Sequence, residues 1–488
     1  MKVVIVGGGT TAWMSAAALA KTFPEYEITV IKGGDPIGVG ESTTPHINQY
    51  LKYMGIDDVT FLRAARATYK SSSRFVDFAE KGHVFHYPNG QSVGIGLTDT
   101  SFHEWMVAKA YGQEVPPFAD VFMPFVTVAE EGKMPLDHPY LLPYELSKDR
   151  SFHIDGDSFS TYLKETFCEN VKVIDSDVKS VSYDGSGVSF VTTKRGETDL
   201  RAPQVRADLF LDCTGQRSML GGAQTSWISY DNILPNSAIV KRYDYTDKDK
   251  EMVPYTNAQA MDAGWMWTIP TWDYLSKGYV FSDNHISTED AIKESGIDGR
   301  EIKFRNGRYE EAWVGNTVKI GLSYGFIEPL ESTSLFNTHH SILALIDTLA
   351  EEPGINQFAR DRFNHNLGEH MDGWREFVEA HYYYSRRDDT PFWKQVNNLK
   401  LKLDNTEHDY IRHHMITGSP VEHEAQPNLY ILAGSGYTTV GRRRYQYFNI
   451  NRVPDANIRE MNEGYKKRKE LASTLPTMYK YLKGTVFS

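Results

Sequence analysis

Apolar runs broken by glycine open the chain. "KVVIV" (2–6) has no polar interruption and predicts a buried strand, "GGGTTAW" (7–13) predicts a tight turn, and "MSAAALAKTF" (14–23) supplies small helix formers. "YEITVIK" (26–32) follows as a second apolar strand, so residues 1–32 predict a βαβ unit whose helix N-terminus receives a dinucleotide pyrophosphate. Gly7 makes the turn, Gly9 lets backbone approach phosphate, and Ala12 fills the small third position of the fingerprint. One position departs from it: Lys32 stands where an acidic residue ordinarily receives the adenosine ribose.

The same strand-into-turn pattern returns in "ADLFLDCTG" (207–215) and in "NTVKIGLSYGFIEPLEST" (316–333). The second run leads into "SLFNTHHSILALIDTLAEE", whose apolar residues recur at helical spacing. The dinucleotide domain is therefore expected to be discontinuous, with its last strand and helix near 316–351. Residues 360–488 read as mainly helical. A second glycine cluster, "LYILAGSGYTTVGRRR" from 429, has no small-residue helix after it, which argues for an aromatic-lined loop rather than a second nucleotide site.

In "GWMWTIP" (264–270), period-two alternation puts Trp265 and Trp267 on one face of a strand. That pair could wall a core, line an aromatic ligand's pocket, or divide two chambers.

Composition narrows the class. At 488 residues the chain can bury a large core, and 40% hydrophobic with 24% charged residues fits a globular protein. A net charge of −12 argues against affinity built on phosphate neutralisation, so no nucleic-acid partner is expected, and the basic runs Arg442–Arg444 and Lys466–Lys469 read as solvated faces. Cys168 and Cys213 are too few for a disulfide framework or a zinc cluster. The adjacent pairs His339-His340 and His413-His414 point about 100° apart on a helix and make no metal site. No apolar stretch is long enough to span a membrane, and no signal peptide opens the chain, so a cytoplasmic enzyme is expected.

These markers together resemble the flavin-dependent tryptophan halogenases over nearly the whole length. They are "GGGTTAW", "IGVGESTTP" (37–45), "TYK" (68–70), "DLFLDCTG" (208–215), "GWMWTIP", "GYVFS" (278–282), "IKFRNGR" (302–308), "EPLEST" (328–333) and "RRDDTPFW" (386–393). The resemblance implies an α/β fold: a Rossmann-like FAD-binding domain of the flavin monooxygenase type within residues 1–359, carrying inserted substrate elements, and a mainly helical substrate-side region at 360–488. It implies that FADH2, O2 and a halide (chloride, bromide or iodide) generate hypohalous acid, which crosses to an aromatic substrate in a separate chamber. The two indoles then become a partition.

By the same resemblance, Lys70 is the catalytic lysine that engages hypohalous acid, and Glu331 assists it and accepts the proton lost by the ring. Arg74, one helical turn on, is the nearest wrong candidate. Ser332 and Thr333 look like N-cap residues, and the backbone N–H groups of Thr333 and Ser334 form the expected halide site, although the family usually has glycine at Ser334. Gly7, Gly8, Gly9, Thr10, Thr11 and Ala12 are expected around the pyrophosphate, with Glu41 and Ser42 on a loop touching the cofactor. Leu322 and Leu335 are expected against the isoalloxazine, and Val178 beside the adenine. Ser332, His86, Trp265 and Trp267 are the expected substrate-side residues, and no metal is expected.

Tryptophan-specific members place a Tyr-Tyr pair just before the Ala-Gly found here at 433–434, where this chain has Asn428 and Leu429. The resemblance therefore implies an indole or phenol type of substrate rather than free tryptophan. It also implies a separate flavin reductase that supplies FADH2, and leaves homo-oligomerisation open. An aromatic-ring monooxygenase of related fold and a non-catalytic flavin-binding protein are the competing readings. Against the first, "IGLS" (320–323) lacks the Gly-Asp pair of such enzymes; against the second, Lys70 and Glu331 are both present.

Overall fold

A computed structural model describes residues 1–34, 38–90, 101–185, 187–194, 204–351, 356–399, 430–436 and 453–488. These residues form two compact units. The first comprises Met1–Ala67, Ile154–Asn236 and Ile302–Arg375; the second comprises Thr68–His153, Ser237–Glu301 and Glu376–Ser488. By this division residues 360–375 fall in the first unit and the described residues from 376 on in the second.

The first unit is built on a six-stranded sheet in the order Trp313–Val314, Thr317–Lys319, Leu209–Asp212, Lys2–Val6, Glu27–Lys32, Lys172–Asp175. All neighbours are parallel except the short edge strand Trp313–Val314. Helices and loops cover both faces of a parallel sheet, which is why its strands read as unbroken apolar runs: Val3 to Val6 and Leu209 to Leu211 are all buried. Helix Thr10–Thr22 contributes a small-residue face, Ala12 and Ala16 to Ala18, that packs against helices Gly156–Phe167 and Thr333–Glu351. An antiparallel meander, Val178–Asp184, Gly187–Thr193 and Gln204–Val205, closes a core of Val4, Val6, Ile31, Val188, Val191 and Phe210.

In the second unit, strands run in the order Ser237–Tyr243, Leu275–Phe281, Gly264–Pro270, Tyr255–Met261, Ser72–Val76, Val84–Pro88. Only the pair Tyr255–Met261 and Ser72–Val76 is parallel. The tryptophan strand is central, so both its edges are paired: Trp265 lies opposite Ala260 and Val280, Trp267 opposite Ala258 and Gly278. Small neighbours are required by the indoles. A Cβ on Gly278 would collide with the Trp267 ring, which explains the glycine that opens "GYVFS". The arginine motif braces the far end of this strand pair: Arg387 forms a two-bond ion pair with Asp389 and lies 4.6 Å above the Trp393 ring, while Trp393 donates to the Met261 carbonyl (2.8 Å).

Described parts of the C-terminal region are helical, with helices Gln357–Tyr383, Pro391–Asn398, Asp455–Thr474 and Met478–Thr485. Among the described residues no helix is long and apolar enough to cross a membrane.

Candidate active site

The glycine turn of the first unit is shaped by its neighbours. Gly7 has φ 141°, and a Cβ there would collide with the Cys213 carbonyl at the end of Leu209–Asp212, so only glycine lets the two strand ends meet. Gly9 caps helix Thr10–Thr22 in extended conformation with no side-chain bond to the first turn, and that turn carries no acidic residue. Among the described residues nothing lies within 4 Å of the position a Gly9 Cβ would take. A helix dipole with no acidic residue against it, beside open space, is the cradle expected for a pyrophosphate. The Trp13 indole N–H locks the turn by donating to the Gly8 carbonyl at 3.2 Å.

Around this cradle stand the other residues expected to touch a flavin. Thr10 Oγ1 donates to Glu41 Oε1 (3.3 Å), and a Cβ on Gly156 would collide with the same carboxyl oxygen, so Gly156 leaves the space that Glu41 fills. Burial, followed by the Asp157 and Asp155 charges, raises the Glu41 carboxyl to about 7 against the pull of the Thr10 bond. Thr11 Oγ1 lies 3.4 Å from Thr338 Oγ1, and a Cβ on Gly321 (φ 65°) would fall 2.8 Å from the latter and 3.0 Å from the former. That joint sets Leu322, half-buried, in the turn Gly321–Ser323, and Leu335, buried, on helix Thr333–Glu351. Val178 lines a cavity of about 100 Å³ at the carboxyl edge of strands Lys2–Val6 and Glu27–Lys32. Ser42 ends the short strand Glu41–Ser42.

The "EPLEST" loop leads into helix Thr333–Glu351. Asn306 Nδ2 donates to the Ile233 and Pro235 carbonyls, and its Oδ1 accepts from Glu328 N at 2.9 Å, so the "FRNGR" motif holds the loop's start. A one-turn 3₁₀ helix, Pro329–Glu331, ends at Ser332, which adopts φ 58° and ψ 34°, a left-handed conformation uncommon outside glycine and concentrated at functional sites. Ser332 is therefore not the extended N-cap that its residue type suggests. Beyond it, helix Thr333–Glu351 begins with no acidic residue in its first turn. Thr333 is fully buried and its hydroxyl has no hydrogen-bond partner among the described residues. A buried hydroxyl is seldom left so. Thr333 and Ser334, the residues expected at a halide, form the first turn of this helix. Glu331 is 3% exposed.

In the second unit the "TYK" motif and the tryptophan motif share a hydrogen-bond network. Strand Thr68–Lys70 pairs with Ser151–Ile154, matching Thr68 with His153 and Lys70 with Ser151. Thr68 Oγ1 donates to the Pro270 carbonyl at 2.5 Å, tying "TYK" to "GWMWTIP". With its proton so committed, Thr68 accepts from His153 Nδ1 (3.3 Å), and His153 Nε2 accepts from Thr256 Oγ1 (2.9 Å). His153 is thus a neutral imidazole in the Nδ1–H form; burial first, and the Lys70 charge second, hold it well below its ordinary pKa. The Lys70 carbonyl accepts from Asn89 Nδ2 and Ser151 Oγ, and the residue is 2% exposed. Trp265 and Trp267 are both buried with centroids 6.1 Å apart, and Trp267 donates to Ser276 Oγ at 3.1 Å.

His86 is placed differently from what a pocket residue needs. It is buried, with Nδ1 2.9 Å from Ser72 Oγ and Nε2 2.9 Å from Glu130 Oε2. Arg74 grips the same carboxylate through two bonds of 2.7 and 3.0 Å. Burial opposes ionisation of Glu130, but hydrogen bonds from His86 and Arg74 carry it down to about 2. Arg74 is hence a structural cation. The next residue, Tyr87, points to the other face, 5.0 Å from Phe377 and 6.5 Å from Tyr430. His339 is buried and His340 stacks on His370 at 4.1 Å, and among the described residues no cluster of His, Cys, Asp and Glu could hold a metal. Asn428, Leu429, His413 and His414 lie outside the described residues.

His153, Asn89, Asn306 and Tyr87 were not expected from the sequence. Only "FRNGR" carried a signal, since an Asn-Gly inside a motif marks a turn with a job.

Comparison with known proteins shows the family. The sequence profile described as "Tryptophan halogenase" matches residues 2–430. The tryptophan 6-halogenase SttH of Streptomyces toxytricini is 30% identical, over 98% of this chain and 97% of that protein. Among solved structures, apo VirX1 has a TM-score of 0.86 at 31% identity, covering 100% of this chain and 99% of that one. BrvH, a flavin-dependent halogenase from Brevundimonas sp. BAL3, has a TM-score of 0.84 at 28% identity, covering 99% and 98%.

Proposed function

The chain belongs to the tryptophan halogenase family, and from that premise we propose that it is the halogenating half of a two-component system acting on an electron-rich aromatic ring. Bound reduced flavin supplies two electrons, so that FADH2, O2, a halide ion and a proton give FAD, hypohalous acid and water. The ring then exchanges a hydrogen for the halogen of hypohalous acid, and a second water leaves.

The protein's own part is binding, separation and proton control. The N-terminus of Thr10–Thr22 would hold the pyrophosphate, and that of Thr333–Glu351 the halide. Lys70 donates a hydrogen bond to the oxygen of hypohalous acid, which weakens the oxygen–halogen bond and makes the halogen electrophilic. Glu331 accepts the proton displaced from the ring. Trp265 and Trp267 keep the aromatic substrate from the flavin while a two-heavy-atom oxidant passes. A separate reductase delivers FADH2.

The observation that carries this reading is a lysine only 2% exposed whose strand is tied by Thr68 to the proline of the tryptophan strand. A lysine is almost never buried without purpose. To test it, the protein is mixed with a flavin reductase, FAD, NADH, O2, bromide or chloride, and a panel of indoles, phenols and tryptophan, and products are read by mass spectrometry. Halogenated product that falls at least a hundredfold on Lys70→Ala, with flavin binding retained, is expected. Hydroxylated product without halogenated product, or an undiminished Lys70→Ala variant, would overturn it.

A further inference from the structure

Lys32 leaves the adenosine ribose without its usual carboxylate, and the surrounding geometry shows both where that lysine goes and what replaces it. Lys32 ends strand Glu27–Lys32. Its stem lies across the glycine turn, since a Cβ on Gly8 would fall 2.6 Å from Lys32 Cγ. The side chain therefore leans toward the pyrophosphate cradle, not away from it.

On the other side of the strand end, Lys172–Asp175 runs parallel with Asp175 opposite Lys32. The chain then crosses in front of Glu27–Lys32: Ser176 N donates to the Lys32 carbonyl at 3.0 Å, and the following residue, Asp177, lands against Gly33. A Cβ on Gly33 would sit 2.6 Å from Asp177 Oδ1 and 2.8 Å from its Cα, so the absence of a side chain there makes room for this carboxylate. Asp177 is held from two directions. Its carbonyl accepts from Lys194 N at 2.9 Å, and Lys194 Nζ lies 3.2 Å from Oδ2. The cavity of about 100 Å³ that Val178 lines has Gly7, Ile31, Gly33, Asp177 and Thr214 on its walls. It lies outside the carboxyl ends of the parallel strands, where such folds take nucleotides.

We infer that Asp177, from the strand beside the usual one, receives the adenosine ribose hydroxyls, while Lys32 is a cation for the pyrophosphate. This rests on the reading of the first unit as a flavin domain. A carboxylate accepting from vicinal hydroxyls recognises ribose and excludes both 2′-deoxyribose and a 2′-phosphate, the first by a lost bond and the second by charge. The basic residues at this edge, Lys32, Lys194 and Arg217, raise the opposite reading, in which a 2′-phosphate is bound; it is an outcome of the test.

Flavin-free protein is titrated with FAD, followed by flavin fluorescence, and bound FAD is then displaced with ADP, 2′-deoxy-ADP or 2′-phospho-ADP. ADP is expected to displace at least tenfold better than either analogue. Asp177→Ala should bring the ADP to 2′-deoxy-ADP ratio to near one, and Asp177→Asn should leave an intermediate ratio. Lys32→Ala should weaken ADP and 2′-deoxy-ADP by the same factor, about fivefold, and leave their ratio intact. A ratio unchanged in Asp177→Ala, or tighter binding of 2′-phospho-ADP than of ADP, would overturn the assignment while leaving the flavin reading standing. Absence of FAD binding by the unaltered protein would overturn both. Asp177 is half-exposed, and circular dichroism of each variant separates lost recognition from lost folding.

Discussion

Replacing Glu41 with glutamine tests whether a protonated carboxyl sits beside the pyrophosphate cradle. In the folded chain this carboxyl titrates near 7, whereas an unfolded glutamate titrates near 4.5. The folded state therefore holds the proton more tightly. Its stability is full below about pH 4.5, declines as pH rises from there through about 7, and levels off above. The whole shift is worth at most about 3.5 kcal/mol, since each pKa unit is about 1.4 kcal/mol. Glutamine keeps the shape and the bond from Thr10 Oγ1 but cannot ionise.

Urea unfolding of flavin-free protein at a series of pH values should show Glu41→Gln gaining on the unaltered protein by up to about 2 kcal/mol between pH 5.5 and 7, with no further gain above. Bound pyrophosphate adds negative charge next to the same carboxyl, so FAD affinity of the unaltered protein should fall toward tenfold per pH unit above 7, and that of Glu41→Gln should fall less. A stability difference constant across pH would refute the reasoning, because it would place the proton's release outside this window.

Substitutions at three further positions address the other parts of the site. Gly278→Ala forces a methyl into the Trp267 ring, which should cost about 1–3 kcal/mol by urea unfolding; a change under about 0.5 kcal/mol would mean the indole is not held against that strand. Thr333→Val removes a buried hydroxyl that has no partner among the described residues, so stability should hold or rise while KM for chloride rises several-fold; an unchanged chloride KM would take Thr333 out of the proposed halide pocket. His153→Phe strips the partners from Thr68 and Thr256, and should cost about 1–3 kcal/mol and lower kcat of halogenation with KM for flavin unchanged. His153→Asn, which can bond to one of the two threonines, should recover part of the rate, and equal loss in both variants would reduce His153 to a packing residue.

Expectations read from local pattern fared unevenly for physical reasons. The strand–turn–helix at 2–22 was legible because unbroken burial, a φ only glycine adopts and a small-residue helix face are each written within a few positions. Helix Thr333–Glu351 was legible from its apolar period. Ser332 was misleading: its residue type suits an N-cap, yet a one-turn 3₁₀ helix before it forces a left-handed backbone. His86 was picked as a pocket residue, but strand pairing turns it toward Ser72 and Glu130 and gives the other face to Tyr87.

By itself, then, the order of residues determined the dinucleotide fold and the tryptophan strand, because each depends on backbone conformation or on motifs a few residues long. Which groups those motifs meet was decided by tertiary structure alone. Thr68 finds Pro270 202 residues away, His153 finds Thr256 across 103, and Asp177 reaches Gly33 through a neighbouring strand. A hydrogen bond is satisfied within about 3 Å of its donor, and no spacing along a chain tells which distant strand will bring a partner inside that radius.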